Sequence, residues 1–296
     1  MFQRSQVVQK RYLLIFNPTA LRQSSAFKNK YSTEQNNIMK LQPKKSLGQH
    51  FLNSKHVLDQ IISAGEIKSG ESVLEIGPGT GILTTALLEA GAKVIAVEKD
   101  RLACELLKSK FSRQIADKQL ELIEGDILDE KTFNSYALIA NIPYYITGAI
   151  LEKFLEYEPR PNRMVLLVQK EVADRIVALN GKESVLSISV KAFGTPKIIA
   201  KVPPGAFTPP PTVDSAILSI KNINDNHFVN KLTGKKADVS EFFKIVKAGF
   251  AHKRKYLIRN LESVIAPEKL SQIWQENKFD PKIRAEDLKL EQWFCF

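Results

Sequence analysis

Between residues 75 and 81 the chain reads Glu75-Ile76-Gly77-Pro78-Gly79-Thr80-Gly81. Glycine at alternate positions lets the backbone turn sharply and lets a ligand approach without meeting a Cβ. A dinucleotide site would have G-x-G-x-x-G and would hold pyrophosphate on the N-terminus of the next helix. Here the spacing is G-x-G-x-G, Ile82 stands where the third glycine would fall, and Glu75 precedes the loop. A carboxylate there repels pyrophosphate and suits a cation. S-adenosylmethionine carries a sulfonium and an ammonium, so the loop fits it better than NAD. Glu98, 17 residues beyond Gly81, can accept hydrogen bonds from both ribose hydroxyls, and Asp126 in Gly125-Asp126-Ile127 can take an adenine amino group. A lone glycine loop is equally an ordinary turn of an α/β domain; the two spaced carboxylates favour the cofactor.

A second group is Asn141-Ile142-Pro143-Tyr144. The exocyclic amine of adenine is a weak nucleophile because its lone pair is delocalised into the ring. The Asn141 amide oxygen and the Ile142 carbonyl can accept its two hydrogens and localise that pair. Pro143 fixes φ and so shapes the approach of the carbonyl. Tyr144 offers a stacking face worth about 1–3 kcal/mol per base. Positioning and electrostatics supply the catalysis, and no strong general base is needed. Alone, such a turn is as readily structural; beside a cofactor loop it reads as catalytic. Tyr145 reads as a core residue.

These residues need a scaffold that brings strand ends together. Ser72–Ile76 reads as a buried strand, and Leu83, Ala86, Leu87 and Ala90 follow at helical spacing, with Gly91 as a stop. Strands are expected at Lys93–Val97, Leu120–Ile123, Ala137–Ala140 and Met164–Val168, with a helix through Leu102, Leu106 and Leu107. Such alternation implies a parallel sheet covered on both faces, whose ligands sit outside the carboxyl ends of the strands. Val185–Phe193 and Val213–Ile220 look like an antiparallel hairpin closing the sheet. Asn222–Gly234 is linker-like, and helices follow. Asp238–Leu261 reads as one amphipathic helix with Asp238 and Glu241 in a capping-box-like start. Its apolar stripe is Phe243, Val246, Phe250, Leu257 and Leu261; Lys244, Lys247, Lys253, Arg254, Lys255 and Arg259 populate the rest. From composition alone these charges are a solvated face.

Hydrophobic residues at 44% and charged residues at 25% exclude disordered, collagenous and membrane architectures for the chain as a whole. No apolar run approaches the roughly 20 residues that span a bilayer. Two cysteines, Cys104 and Cys295, cannot build a disulfide framework, and no Cys/His cluster has metal-ligand spacing, so no metal is expected. The net charge of +11 favours a polyanionic partner. Its location tempers that: residues 1–45 hold nine basic residues and one acidic, leaving +3 for residues 46–296. The basic, acid-poor leader 1–38 fits an organelle transit peptide, a disordered tail or a start placed too early, since Met39 stands just before the ordered-looking sequence. It is set outside the fold.

Seven stretches in order carry a resemblance to a family: Lys44-Lys45-Ser46-Leu47-Gly48-Gln49-His50-Phe51-Leu52, the Glu75–Gly81 loop, Val97-Glu98, Gly125-Asp126, Asn141–Tyr144, Phe207-Thr208-Pro209-Pro210-Pro211-Thr212-Val213-Asp214-Ser215 and Phe250–Leu261. The chain resembles the bacterial rRNA adenine dimethyltransferases of KsgA type, whose relatives include the Erm-type enzymes. The resemblance covers most of residues 44–260. It implies that His50 and Leu52 border the cofactor, that Gly77 lies against its methionine part, that Glu98 holds the ribose and that Asp126 reads its adenine. It places Asn141 between cofactor and target base, and Phe207 closing that base from the side opposite Tyr144. His50 stands where many relatives have Asn. The stretch around Lys253, Arg254 and Lys255 becomes an RNA-contacting segment, giving affinity and salt dependence without reading sequence. Specificity then comes from RNA shape and from extruding unpaired bases.

The expectation is a Rossmann-like class I S-adenosylmethionine-dependent methyltransferase sheet at 39–222 with a small all-α RNA-binding domain at 223–296. It would dimethylate two adjacent adenines near the 3′ end of small-subunit rRNA, acting on immature subunits as a cytoplasmic monomer, or in an organelle matrix if the leader is a transit peptide. The rivals are an Erm-type large-subunit enzyme, a DNA adenine methyltransferase, for which no target-recognition domain is evident, and a non-catalytic assembly or transcription factor on the same fold.

Overall fold

The computed structural model describes residues 48–130, 133–134, 136–229 and 237–296. The leader 1–38, Met39 and the pair Lys44-Lys45 lie outside them. The strands are Phe51–Leu52 (β1), Ser72–Ile76 (β2), Lys93–Glu98 (β3), Leu120–Glu124 (β4), Ala137–Asn141 (β5), Arg163–Gln169 (β6), Thr195–Val202 (β7), Phe207–Thr208 (β8) and Ser215–Lys221 (β9). Seven of them form a mixed sheet in the order β4-β3-β2-β5-β6-β9-β7, while β1 pairs with β8. Strands β4, β3, β2, β5 and β6 are parallel; β9 runs antiparallel to both β6 and β7.

Successive side chains on a strand point to opposite faces, and that alternation divides the core in two. Val73, Ala137 and Ile139 enter one hydrophobic cluster; Leu74, Leu138 and Ala140 enter the other. The central strands β2, β5 and β6 are therefore apolar almost throughout, as strands covered on both faces require. The covering helices are Lys55–Gly65 (α1), Ile82–Glu89 (α2), Arg101–Lys110 (α3), Ser112–Ala116 (α4), Thr147–Glu156 (α5), Lys170–Val177 (α6) and Val185–Phe193 (α7). After β9 come Val239–Gly249 (α8), Leu257–Leu261 (α9), Pro267–Asn277 (α10) and Leu290–Trp293 (α11). These later helices share a hydrophobic cluster with the sheet, through rings such as Phe193, Phe228, Phe242 and Phe294. Ring centroids there lie 5.3 Å apart for Phe193 and Phe228 and 4.7 Å apart for Phe242 and Phe294.

Two sequence expectations are corrected. Val185–Phe193 is helix α7, not a strand. Ser184 caps it, accepting from the Ser187 N–H at 3.1 Å while the Ser187 hydroxyl accepts from the Ser184 N–H at 2.7 Å. The alternation of apolar residues with serine imitates a strand, yet Ser187 is buried with Ile188 and Val190. The hairpin partner of β9 is Thr195–Val202, which Pro196, Lys197 and Lys201 disguise; an edge strand tolerates proline and charge. The expected helix 238–261 is also interrupted. Asp238 does cap it, accepting from the Ser240 N–H at 2.8 Å, but α8 stops at Gly249 and α9 begins at Leu257. The break is held by Asn260, whose amide donates to the Gly249 carbonyl at 2.6 Å and to the His252 carbonyl at 3.2 Å.

Gly249 ends α8 against Trp293, which is 1% exposed. A Cβ at this position would lie 2.5 Å from Trp293 Cη2 and 3.0 Å from Leu257 Cδ1. Gly249→Ala should therefore lower unfolding stability by about 1–3 kcal/mol, read as a lower urea midpoint at unchanged denaturant slope.

Candidate active site

The chain runs outward from β2 through β3 to β4, then crosses back to place β5 and β6 on the other side of β2. In such a sheet a crevice opens at the carboxyl ends of the two strands flanking the reversal. A cavity of about 360 Å³ lies there, walled by the loop after β2, the ends of β3 and β4, the turn after β5, and the segment 48–52. Strand order thus gathers residues more than 90 positions apart in sequence.

One end of the cavity is acidic. Gly77 has φ +62°, and a Cβ built on it meets nothing within 4 Å, so its backbone faces open space. Gly81, at φ +75°, is needed for a different reason: a Cβ there would strike Phe111 at 2.6 Å and Leu107 at 2.8 Å. The Gly79 N–H donates to Glu98 Oε2 at 3.0 Å, and the Asp100 N–H donates to Glu98 Oε1 at 2.8 Å. Glu75 is 1% exposed and accepts from the Thr84 hydroxyl at 2.7 Å. Burial, reinforced by the Glu98 charge, pushes the Glu75 carboxyl up to about 8. Burial also raises Glu98. Asp126 is held below the usual carboxylate range, chiefly by its bond from Lys99, whose Nζ donates to Oδ2 at 2.7 Å. Its Oδ1 accepts from the Leu128 N–H at 3.0 Å. Two buried carboxylates on one wall make the site receptive to a cation.

The other end carries the turn after β5. Asn141 Nδ2 donates to the His50 carbonyl at 3.1 Å, which leaves Oδ1 as the acceptor. The Tyr144 phenol lies 2.6 Å from the Ser215 hydroxyl, and burial raises its pKa. The His50 ring stacks on Tyr144 with centroids 5.9 Å apart and planes at 21°. His50 Nδ1 lies 2.8 Å from the Pro209 carbonyl, which only accepts, so Nδ1 carries the proton and donates. Ile142 and Pro143 also line the cavity, as does Leu52.

Of the residues singled out from sequence, His50, Leu52, Glu75, Gly77, Gly79, Glu98, Asp126, Asn141, Ile142, Pro143 and Tyr144 meet on this one cavity wall. Phe207 does not line it: it is 3% exposed, lies in the hydrophobic cluster and pairs with Leu52 across β1 and β8. Tyr145, expected in the core, is 63% exposed and lies on the cavity rim, its ring 3.4 Å from where a Gly48 Cβ would be. The two tyrosines open the short 3-10 turn Tyr144–Ile146 after β5, in which Tyr144 is tethered to Ser215 and Tyr145 faces outward. Sequence reasoning also passed over Lys99 and Ser215. The first could have been found from its place after Glu98, the second from its place closing the 207–215 stretch. The six basic residues lie away from the cavity wall. Lys244 pairs with Glu241 at 3.4 Å and Arg259 with Glu262 at 2.8 Å; Lys247 is exposed on α8, and Lys253, Arg254 and Lys255 are exposed on the turn between α8 and α9. Among the described residues no group of His, Cys, Asp and Glu could hold a metal, and no helix is long and apolar enough to cross a membrane.

Comparison with known proteins is consistent with this arrangement. Residues 40–296 match the sequence family described as Ribosomal RNA adenine dimethylase. A Ribosomal RNA small subunit methyltransferase A from Dehalococcoides mccartyi is 41% identical over 262 residues, 86% of this chain and 87% of that protein. A dimethyladenosine transferase from Plasmodium falciparum superposes with a TM-score of 0.68 at 28% identity, covering 83% of this chain and 95% of its own. The 23S rRNA methyltransferase ErmE superposes with a TM-score of 0.66, but at 23% identity over 83% of this chain and 97% of its own, which speaks for the fold alone.

The state of Glu75 has a measurable consequence for stability. With its folded pKa near 8 against the ordinary 4.5, the folded state keeps a proton that the unfolded chain loses between those values. Stability of the ligand-free protein should therefore fall as pH rises from about 5 to 8. Glu75→Gln should flatten that slope and exceed the parent above pH 8 by an amount on the order of a few kcal/mol, read from thermal midpoints across the range.

Proposed function

Because the chain belongs to the ribosomal RNA adenine dimethylase family, we propose that it dimethylates the N6 amines of two adjacent adenines near the 3′ end of small-subunit rRNA, with S-adenosylmethionine as methyl donor. The observation that carries the reading is the Asn141 amide, oriented by the His50 carbonyl beside a cavity end lined by buried carboxylates. The small-subunit substrate is favoured over the large-subunit one by the 41% identity to a small-subunit enzyme against 23% to ErmE, since the two folds match almost equally.

S-adenosylmethionine would supply an electrophilic methyl group on a sulfonium. The residues present fit it: the backbone of Gly77 faces open space for its methionine part, and the buried Glu75 and Glu98 carboxyls, whose pKa values burial raises, would be drawn back toward ionisation by a cationic ligand. Glu98 would hold the ribose, Asp126 the adenine amino group, and Leu52 would close the apolar side. At the catalytic end, Asn141 Oδ1 and the Ile142 carbonyl accept the two hydrogens of the target amine, drawing its lone pair out of the ring. Pro143 keeps that carbonyl in place, and Tyr144, tethered to Ser215, gives the base a face to stack on. The whole region 46–296 carries only +3, so phosphate contacts rest on local clusters, chiefly Lys247 and the exposed turn bearing Lys253, Arg254 and Lys255. On this reading residues 223–296 form the RNA-binding part, and the partner is an immature small subunit in the cytoplasm.

Purified protein given labelled cofactor should label immature small subunits at the two adenines, mapped by mass. Labelling of other RNAs with none on small subunits would remove the substrate assignment. Asn141→Ala should retain cofactor affinity in a binding titration and lose transfer by about 10²-fold or more. Normal turnover in that variant would sink the mechanism.

A further inference from the structure

The two tyrosines of the turn after β5 leave it in opposite directions along the sheet. Tyr144 reaches the Ser215 hydroxyl at 2.6 Å, at the start of β9 and so on the β6 side of β5. Tyr145 goes the other way. Its ring lies 3.4 Å from where a Gly48 Cβ would be, and it shares the cavity rim with Lys99, after β3, and Leu128, after β4. The Lys99 ammonium is raised chiefly by its bond to Asp126, and the Tyr145 phenol adds to the rise, which sets that phenol on the Lys99 side of the rim. Gly48, at φ +57°, has no side chain to push the ring away, so the tyrosine is seated on backbone. It is nonetheless 63% exposed.

We propose that Tyr145 gates the cofactor cavity: its ring, seated on Gly48, covers the mouth between the 48–52 segment and Lys99, and cofactor passes when the ring swings off that seat. The proposal rests on the methyltransferase reading above and adds to it a route for cofactor exchange. Each dimethylated adenine takes two transfers, so spent cofactor must be replaced between them. With one shared opening, RNA would have to leave each time. The divergence of the two tyrosines separates the openings. RNA meets the cavity on the Tyr144 and Ser215 side, whereas Glu98, Lys99 and Asp126 stand on the Tyr145 side. The far edge of that second mouth is fixed by the Lys99–Asp126 pair at 2.7 Å. The near edge is movable, because an exposed side chain changes rotamer without any movement of the sheet. Exchange in both directions then scales with the fraction of time the ring is off Gly48. A gate that does not grip the ligand slows entry and exit by the same factor and leaves the dissociation constant alone. A wall that grips the ligand slows exit only. The two roles are therefore separable by kinetics.

The test uses the full chain and two variants, Tyr145→Ala and Tyr145→Phe. Stopped-flow binding of S-adenosylhomocysteine, followed by displacement of a fluorescent cofactor analogue, gives the association and dissociation rate constants. Tyr145→Ala should raise both by about tenfold and leave Kd within about threefold of the parent. Tyr145→Phe, which keeps the ring, should stay within about threefold of the parent in both rates. With a saturating short RNA bearing two adjacent adenines, the parent should release S-adenosylhomocysteine as fast as without it. Faster dissociation alone in Tyr145→Ala, with Kd weakened by the same factor, would overturn the gate and make Tyr145 a wall of the site. Parent-like rates in folded Tyr145→Ala would overturn it too, as would RNA that halts release. Were the parent to bind S-adenosylhomocysteine yet leave small subunits unmethylated, the substrate reading would fall by itself, and the rate constants would still decide the gate. A parent that binds no S-adenosylhomocysteine would take down the gate and the methyltransferase reading together.

Discussion

A single hydrogen bond, from the Asn141 amide to the carbonyl of His50 at 3.1 Å, joins the two parts of the chain that must cooperate at the cavity. Asn141 ends the central strand β5, held rigidly between β2 and β6. His50 belongs to a short segment fixed by the pairing of β1 with β8 and by the bond of its ring to the Pro209 carbonyl. The bond consumes the donor side of the Asn141 amide and leaves its oxygen as the acceptor. It also brings the His50 ring over Tyr144. Orientation of the acceptor and placement of the aromatic pair therefore depend on the same contact. A short flanking segment is thus registered to a rigid strand end.

Charge is handled differently at the two ends of the cavity. Glu75 and Glu98 are both raised by burial, Glu75 further by the Glu98 charge, while a hydroxyl bond to Glu75 and backbone N–H bonds to Glu98 oppose the shift. Asp126, partly exposed, is neutralised by Lys99 and stays below the usual carboxylate range. Desolvation of like charges costs free energy that a bound cation would offset, so the acidic end stores affinity for a positively charged ligand. At the other end stand the Asn141 amide and the Tyr144 phenol, whose pKa burial raises. An amine whose nucleophilicity comes from lone-pair localisation needs acceptors there rather than charge.

The features legible in the sequence were those set by short-range rules. Ser72–Ile76, Ala137–Asn141 and the glycine loop between β2 and α2 follow from continuous apolar runs and turn chemistry, and the parallel order then places Glu75, Glu98, Asp126 and Asn141 together. What escaped depended on which neighbour covers a residue. Ser187 reads as a solvent-facing residue of a strand, but it is buried and bonded to Ser184 within a helix. Thr195–Val202 carries proline and two lysines, a pattern acceptable only because the strand lies at the sheet edge. Tyr145 and Phe207 exchange places relative to expectation, the first on the rim and the second in the core. No periodicity distinguishes them: Phe207 is covered through the pairing of β8 with β1, while Tyr145 lies in the turn after β5.

The break between α8 and α9 is a packing constraint that also gathers charge. Trp293 fills the space where any side chain at Gly249 would go, and the Asn260 amide caps the carbonyls that the ending helix leaves free. Were the helix continuous through 261, Lys253, Arg254 and Lys255 would point in different directions around its surface, about 100° apart per residue. In the observed turn they form one exposed stretch between two buried anchors, Val246 and Leu257. For a folded region with a net charge of only +3, concentrating cations on a rigidly held turn is the physical alternative to raising the total. A charged surface is felt only within a Debye length of about 8–10 Å, so the clustered turn, more than the summed charge, sets the potential that a polyanion would meet on this face.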